Sequence, residues 1–347
     1  MAASAFITGL AGQTISTSER AFLREAAPWG LILFKRNVDT PAQVATLVSE
    51  FRDSVGRADA PVLIDQEGGR VQRLGPPHWP AYPPGACYGQ LYDQDPALGL
   101  AAARLGARLI AADLHALGIN VDCMPLADVP LSGADPVIGD RAYGQTPAKV
   151  ATLARAVADG LIDGGVLPVL KHIPGHGRAT ADSHHNLPVV DTDRATLEQS
   201  DFAAFRPLAG LPMAMTAHVV FTAIDPVLPA TTSATIVSDV IRTAIGFQGL
   251  LMTDDVSMNA LSGTLRERAG AALAAGCDVV LHCNGNLEEM QAVAAESSSM
   301  SGTVAARASR ALSALRLPGG IDLQAARAAF SDMIAGKSPT GAQVPTS

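Results

Sequence analysis

The sequence has little cysteine, no excess of positive charge and no long uncharged apolar run. Its four cysteines in 347 residues are too few for a disulfide framework and are expected to stay reduced. The net charge of -8 argues against nucleic acid as a main partner, because binding of phosphate groups requires a basic face. The most apolar helix-like region, residues 98–117, is interrupted by Arg104, Arg108 and Asp113, so no membrane span is expected.

The start of the chain and its overall composition indicate a folded protein of the cytoplasm. No positive residue precedes Arg20, which argues against a secretory signal. The 32 glycines and 23 prolines stay well below the level of low-complexity chains. With 48% hydrophobic and 17% charged residues, the chain is expected to bury a large core.

Eight short apolar runs alternate with longer amphipathic segments, a pattern typical of repeated βα units around a parallel sheet. The runs are residues 5–10, 30–35, 61–65, 119–124, 166–172, 213–218, 249–254 and 278–283. Eight such units favour an α/β fold with a single closed (β/α)8 barrel of the TIM type. An open doubly wound sheet is the alternative, but Gly9 and Gly12 do not match the spacing of its glycine-rich fingerprint.

The region beyond residue 286 predicts extra C-terminal helices, at residues 304–315 and 323–334. We therefore expect one barrel domain over residues 1–337. Residues 338–347 are rich in proline, threonine and serine and predict a flexible tail.

In a parallel barrel the active site lies at the carboxyl ends of the strands. Those positions carry a concentration of ionisable side chains: Asp65, Asp122, Lys171, His172, His218, Asp254, Asp255 and His282. A hydrogen bond to a loop would explain any one of them, but the whole set predicts a catalytic site. Because successive side chains of a strand point to opposite faces, only one of Asp254 and Asp255 is expected to face the barrel axis.

Residues 171–185 contain four of the eight histidines. Metal binding is disfavoured, because a proline and a glycine lie between His172 and His176, which therefore do not form the helical pair of metalloproteases. A phosphate loop is disfavoured because its lysine–serine ending and following helix are missing. In acid–base catalysis, Asp182 would orient the ring of His184, although an Asx turn at Asp182 explains the local sequence equally simply.

Six motifs follow one another along the chain: Ile-Leu-Phe-Lys-Arg-Asn from Ile32, Asp-Gln-Glu-Gly-Gly-Arg-Val-Gln-Arg from Asp65, Asp140-Arg141, Lys-His-Ile-Pro-Gly-His-Gly from Lys171, Asp-Ser-His from Asp182 and Thr-Asp-Asp-Val-Ser-Met from Thr253. In kind and order they resemble the β-N-acetylhexosaminidases of glycoside hydrolase family 3, the NagZ type of bacterial cell-wall recycling. The resemblance extends over nearly the whole chain. It implies a single barrel domain, in agreement with the strand count.

The resemblance also implies roles for individual residues. Asp254 is the implied nucleophile and Asp255 its supporting neighbour. His184 is the implied general acid/base, with Asp182 as its partner. The sugar would be held by Asp65, Arg73, Arg141, Lys171 and His172.

The implied reaction is a double displacement. Asp254 attacks the anomeric carbon while His184 protonates the leaving oxygen, and the same imidazole then activates water, so that the sugar leaves with retained configuration. The implied substrates are GlcNAc-anhydroMurNAc fragments and their peptides. No cofactor or metal is expected, and the protein is expected to be a monomer.

Three departures from the family pattern are small: Ile173 replaces a frequent phenylalanine, Val256 a frequent leucine, and Gly9 a frequent aspartate. The last removes one possible pocket contact. Most glycosidases use two carboxyl groups, and that scheme would select Glu67 as the acid. The glycine pair after Glu67 indicates instead a tight turn and a structural role.

Other functions within and outside the family stay open. A family 3 β-glucosidase or an N-acetylglucosaminide phosphorylase would share the barrel and the nucleophile, and a histidine acid/base tolerates an incoming phosphate better than a carboxylate would. The histidine motifs favour the N-acetylglucosaminidase. A non-catalytic sugar-binding barrel would need neither Asp254 nor His184.

Overall fold

The eight predicted apolar runs form eight parallel strands that close into a barrel. The computed structural model describes residues 3–179, 181–183 and 186–337. In chain order the barrel strands are Ser4–Thr8 (β1), Pro28–Leu33 (β2), Val62–Ile64 (β3), Val121–Asp122 (β4), Leu167–Ile173 (β5), Met213–Thr216 (β6), Leu250–Asp255 (β7) and Val279–His282 (β8). They follow chain order around the barrel and β8 pairs with β1, so the predicted (β/α)8 fold is confirmed.

Helices follow the strands and cover the outside of the barrel. They are Thr17–Ala26 (α1), Pro41–Val55 (α2), Gly85–Gln94 (α3), Pro96–His115 (α4), Pro147–Asp163 (α5), Arg194–Gln199 (α6), Asp201–Phe205 (α7), Leu265–Ala275 (α8), Leu287–Glu296 (α9), Gly302–Ser313 (α10) and Leu323–Ile334 (α11). A π-helix, Ile236–Ala244, follows β6, and three short 3-10 turns are Lys35–Asn37, Gly139–Arg141 and Arg206–Leu208. In the described part of the chain no helix is long and apolar enough to cross a bilayer.

Two short strand pairs lie outside the barrel. Gln66–Gly68 pairs antiparallel with Val71–Gln72, directly after β3. Val189–Val190 pairs in parallel with Val220–Phe221, in the segments that follow β5 and β6. Both pairs therefore belong to loops at the carboxyl ends of the strands, where they shape the mouth of the barrel.

The core has two layers, because the barrel strands are buried on both faces. The outer layer packs the strands against the helices. The inner layer fills the barrel with side chains such as Ile32, Met215 and Leu281. Trp29, at the start of β2, joins Ala308 and Ala311 of α10 in this inner layer, so α10 covers the amino-terminal end of the barrel.

The predicted C-terminal helices are present as α10 and α11. In α11, Phe330 contacts the rings of Tyr82 and Tyr88, at centroid distances of 6.2 and 6.4 Å. Arg327 donates a hydrogen bond of 2.6 Å to Asp113 on α4. Helix α11 is thus packed against the barrel's outer layer, whereas residues 338–347, predicted as a tail, lie outside the described residues.

Candidate active site

The carboxyl ends of the strands surround a pocket of about 540 Å³. Seven of the eight predicted site residues line it: Asp65, Arg73, Arg141, Lys171, His172, Asp182 and Asp254. The eighth, His184, lies outside the described residues. The barrel fold therefore brings together residues that are up to about half the chain apart in sequence, as the strand-end argument predicts.

A network of buried ion pairs forms one wall of the pocket. The Lys171 ammonium lies 2.9 Å from Asp65 and 2.7 Å from Glu67. Arg73 donates to the second oxygen of Asp65 at 2.9 Å. Arg141 binds both oxygens of Glu67, at 2.8 and 2.7 Å. Two carboxylates and three cations thus hold one another in fixed geometry.

The same network keeps both carboxylates ionised. Burial alone would raise the pKa of Asp65, but the charges of Lys171 and Arg73 outweigh it and hold that pKa well below its usual value. Burial likewise opposes ionisation of Glu67, yet Lys171 and Arg141 lower its pKa to about 2. A carboxylate with so low a pKa cannot deliver a proton near neutral pH. Glu67 is therefore structural, in keeping with the glycine pair that follows it.

His172 is held by a buried aspartate that the motifs do not reveal. Asp128, fully buried, lies 2.7 Å from Nδ1 of His172 and accepts the backbone N–H of His176 at 2.7 Å. Burial would raise the pKa of Asp128, but His172 and His176 lower it. Asp128 lies beyond the end of β4 and so escapes a search of strand ends. An acid at the end of the apolar run that follows β4 is the signal that could have found it.

The two acids that end β7 have different surroundings. Asp255 accepts hydrogen bonds from the Ser257 hydroxyl at 2.6 Å and from the backbone N–H of Cys283 at 3.2 Å, which fix the turn after the strand. Among the described residues, the only hydrogen bond to the Asp254 carboxylate comes from the Asp255 backbone, at 2.8 Å. Burial would raise the pKa of Asp254, but His172 and His218 hold it below its usual value. Asp254 is thus a carboxylate that favours the ionised form and that accepts, from the described residues, a single hydrogen bond.

The expectation that only one of these acids faces the barrel axis is wrong. Both Asp254 and Asp255 line the pocket. The pairing of β7 with β8 shifts register between Met252 and Asp255. Such an irregularity interrupts the alternation of side chains, so that consecutive residues turn to the same side.

His218, which follows β6, lies behind Asp254 and does not line the pocket. Its Nε2 lies 2.9 Å from the Asp255 carbonyl oxygen, an atom that can only accept, so Nε2 carries the proton. Nδ1 then accepts from the Thr231 hydroxyl at 2.7 Å. Burial lowers the pKa of His218, which keeps the ring neutral. His218 therefore supports the end of β7 and does not touch the pocket directly.

Two other strand-end residues also do not line the pocket. Asp122 is fully buried, and one oxygen accepts the Gln66 backbone N–H at 3.0 Å. Burial raises its pKa well above the usual value, so Asp122 takes up a proton more readily than the carboxylates of the wall.

His282 turns outward, because alternate residues of β8 face the helices. Its Nε2 lies 2.9 Å from a carboxylate oxygen of Glu289 on α9. Of the strand-end residues named from the sequence, Asp122, His218 and His282 thus do not line the pocket.

The loop after β5 needs glycine where it approaches a neighbouring loop. A Cβ at Gly177 would overlap the backbone of Val129, in the segment after β4. Only a residue without a side chain lets the two backbones lie in contact. This close approach places His172 and His176 beside Asp128.

Gly9 has a similar steric cause. A Cβ at this position would overlap the Cys283 carbonyl oxygen and approach the Arg36 guanidinium to 2.8 Å. Arg36 donates to that carbonyl oxygen and, at 2.8 Å, to the carbonyl oxygen of Leu10, and it lies 5.1 Å from the centre of the Phe34 ring. The arginine therefore occupies the space beside Gly9 and lines the pocket itself.

Comparisons with known proteins identify the family of the chain. Residues 5–314 match the model of the glycosyl hydrolase family 3 N terminal domain. The β-hexosaminidase of Alkalilimnicola ehrlichii is 42% identical over 282 residues, which cover 80% of this chain and 79% of the relative. That of Methylococcus capsulatus is 40% identical over 282 residues, covering 79% of this chain and 81% of the relative.

Solved structures show the same similarity. NagZ from Neisseria gonorrhoeae, in complex with N-trifluoroacetyl-D-glucosamine, superimposes with a TM-score of 0.86 at 31% identity, covering 98% of this chain and 99% of that one. A family 3 β-N-acetylglucosaminidase from Paenibacillus gives a TM-score of 0.78 at 32% identity, covering 99% of this chain and 63% of that one. The chain therefore belongs to glycosyl hydrolase family 3 and is a β-hexosaminidase.

Proposed function

We propose that the protein removes terminal N-acetylglucosamine from β-linked cell-wall fragments, with retained configuration, and that Asp254 is its nucleophile. The observation that carries the proposal is the state of Asp254. This buried carboxylate lies at the end of β7, lines the pocket, has a lowered pKa and accepts only one hydrogen bond from the described residues. An ionised carboxylate oxygen at the end of a barrel strand can attack an anomeric carbon.

The wall of ion pairs supplies the sugar contacts in this proposal. Asp65 offers carboxylate oxygens to sugar hydroxyls, while Arg73, Arg141 and Lys171 offer N–H donors. Because these groups already hold one another, they need little reorganisation when the sugar binds. His172, fixed by Asp128, presents its Nε2 toward the pocket.

The proton transfers are assigned to Asp182 and His184. Asp182 lines the pocket, and Glu67 is too strongly ionised to act as the acid. An imidazole backed by a carboxylate can donate a proton to the leaving oxygen and then accept one from water near pH 7. After donation the ring is neutral, so it does not attract or repel the anionic nucleophile.

The substrates proposed are GlcNAc-anhydroMurNAc fragments and their peptides. The support is the similarity to NagZ, whose gonococcal form binds N-trifluoroacetyl-D-glucosamine.

The proposal also includes a monomeric state and a location in the cytoplasm. The four free cysteines support the location, because reduced thiols are typical of that compartment. Light scattering of the purified protein tests the monomer, and cell fractionation tests the compartment.

The deciding experiment compares an aryl β-N-acetylglucosaminide with the matching β-glucoside, with and without phosphate, for the wild type and Asp254→Asn. We expect turnover of the N-acetyl substrate alone, no effect of phosphate, and an inactive variant. Acceleration by phosphate would indicate a phosphorylase, and preference for the glucoside a β-glucosidase. An active Asp254→Asn would remove the proposed nucleophile.

A second experiment tests the acid role. We expect His184→Ala to lose far more activity on a natural disaccharide than on an activated aryl glycoside, because a good leaving group departs without a proton. Equal losses on both substrates would contradict the assignment.

A further inference from the structure

Ser183 stands between the two residues assigned to proton transfer, and its hydroxyl is buried. The residue is 4% exposed, and its Oγ lies 3.3 Å from Nε2 of His176 and 3.8 Å from Sδ of Met258. The Ser183 carbonyl oxygen accepts the backbone N–H of Ala260 at 3.2 Å. Side chain and backbone thus both attach this residue to neighbouring loops.

The Ser183 hydroxyl has two polar neighbours. A thioether sulfur can only accept, so Met258 is an acceptor for the Ser183 hydroxyl proton, and in that arrangement Nε2 of His176 donates to Ser183 Oγ. Burial lowers the pKa of His176 to about 4, so this ring is neutral at pH 7 and carries a single proton.

His176 is itself held in place by Asp128. Its backbone N–H donates to Asp128 at 2.7 Å, and Asp128 also holds the ring of His172 at 2.7 Å. Ser183 is therefore connected through His176 to the group that orients His172. On its other side, Met258 and Ala260 belong to the segment that follows Asp254 and Asp255 at the end of β7.

We infer that Ser183 is a positioning residue, whose contacts with His176 and Met258 fix the chain beside Asp182 relative to Asp254. This inference rests on the proposed function, since it concerns the segment assigned to proton transfer. Ser183 does not touch the reacting atoms in this assignment. It acts through the residues on either side of it in the chain.

The inference predicts a specific kinetic pattern for Ser183→Ala. With a natural disaccharide, whose departure requires a proton, we expect kcat to fall about 10- to 100-fold, the scale of a misplaced catalytic group. With an activated aryl glycoside, formation of the glycosyl-enzyme needs no acid, so that step should change less than about 3-fold. KM for the disaccharide should change little, because the ion-pair wall is intact, whereas KM for the aryl glycoside should fall, because slow attack of water lets the glycosyl-enzyme accumulate.

Azide distinguishes a misplaced acid/base from a general loss of catalytic activity. When base assistance is weak, azide attacks the anomeric carbon of the glycosyl-enzyme: a C–N bond forms, the ester bond to Asp254 breaks, and no proton must be removed. We expect azide to accelerate turnover of the aryl glycoside by Ser183→Ala, with formation of a β-glycosyl azide, and to leave the wild type unchanged.

Three further variants complete the test. Ser297→Ala removes another buried hydroxyl, one that donates to the Val293 carbonyl oxygen at 2.9 Å away from the pocket, and should match the wild type in all these assays. His176→Gln keeps an N–H donor and should retain more disaccharide activity than His176→Leu. Thermal unfolding of each variant checks that it is folded at the assay temperature.

The outcomes separate this inference from the proposed function. Equal losses by Ser183→Ala on both substrates, or wild-type behaviour without an azide effect, would overturn the positioning role and leave Asp254 as nucleophile. If the wild type does not hydrolyse the N-acetyl substrate, or Asp254→Asn is active, the proposed function itself has failed.

Discussion

Single side chains in the pocket derive their charge from the groups packed beside them. Asp65 and Glu67 are ionised because Lys171 and the two arginines outweigh the effect of burial. For Asp122, close behind them, burial is the largest effect and raises the pKa. Residues of one chemical type thus have pKa values shifted in opposite directions over a short distance, and their neighbours decide which.

Glu67→Gln should therefore damage both folding and catalysis. The amide removes one of the two carboxylates that face three cations, so we expect the free energy of unfolding to fall by about 3 kcal/mol. We expect kcat/KM to fall about 100-fold, because the sugar contacts lose their fixed geometry. Denaturant unfolding and steady-state kinetics measure the two effects.

The matched control is Glu19→Gln, which changes a buried glutamate in the capping box of α1, away from the pocket. It should leave kcat/KM unchanged. Wild-type stability and activity in Glu67→Gln would show that the ion-pair wall does not organise the site.

At the residue scale, sequence patterns reveal side chains that end a strand or repeat a motif. They predict Asp254, Lys171 and His172 in the pocket. They do not reveal Asp128, because its importance arises from a backbone approach between two loops that are distant in sequence. They also cannot distinguish a strand-end residue that faces the pocket from one that faces the helices, such as His282.

Elements position the site through close backbone contacts. Gly177→Ala places a methyl group against the Val129 backbone, which must move. We expect a loss of roughly 2 kcal/mol in unfolding free energy and a large loss of kcat, because the displaced loop carries His176 and precedes Asp182. Gly210→Ala, which has open space around its Cβ position, should change neither quantity. Full activity in Gly177→Ala would contradict the steric argument.

Unlike the loop contact at Gly177, helix α11 stabilises the fold without reaching the pocket. Phe330 is buried against Tyr82 and Tyr88. We expect Phe330→Ala to lower the free energy of unfolding by about 3 kcal/mol and to leave kcat/KM at 25 °C unchanged. Thermal unfolding followed by kinetics checks both parts, and a fall in kcat/KM of the folded variant would be the contrary result.

At the element scale, continuous apolar runs predict all eight barrel strands, because strands buried on both faces have no polar side. Their bounds are less well predicted: the fourth run, residues 119–124, yields only Val121–Asp122 as regular strand. The register shift near Asp255 and the two short strand pairs outside the barrel depend on cross-strand hydrogen bonds, which no local pattern contains.

The whole molecule should lose stability as the pH falls below neutral. His176 has its pKa lowered from 6.5 to about 4 on folding, so the unfolded chain binds a proton more readily than the native protein. Stability from this group is complete above pH 6.5 and is lost as the pH falls toward 4. At pH 5 the loss is about 2 kcal/mol from His176 alone. Buried His218 acts in the same direction.

Denaturant unfolding at pH 7 and pH 5 measures this loss for the wild type and His176→Gln. The variant should show a smaller difference between the two pH values, whatever its stability at pH 7. An identical pH dependence in both proteins would exclude His176 as a source of acid sensitivity.

The closed lower end of the barrel has a kinetic consequence. Because α10 covers that end and Ile32, Met215 and Leu281 fill the interior, the pocket opens, within the described residues, only at the carboxyl ends of the strands. A polymer cannot thread through such a dead end, so each encounter trims one terminal unit and then releases the chain. The proposed function therefore predicts a distributive and not a processive reaction. In the proposed double displacement, the liberated monosaccharide leaves last, through the opening that the next molecule must enter.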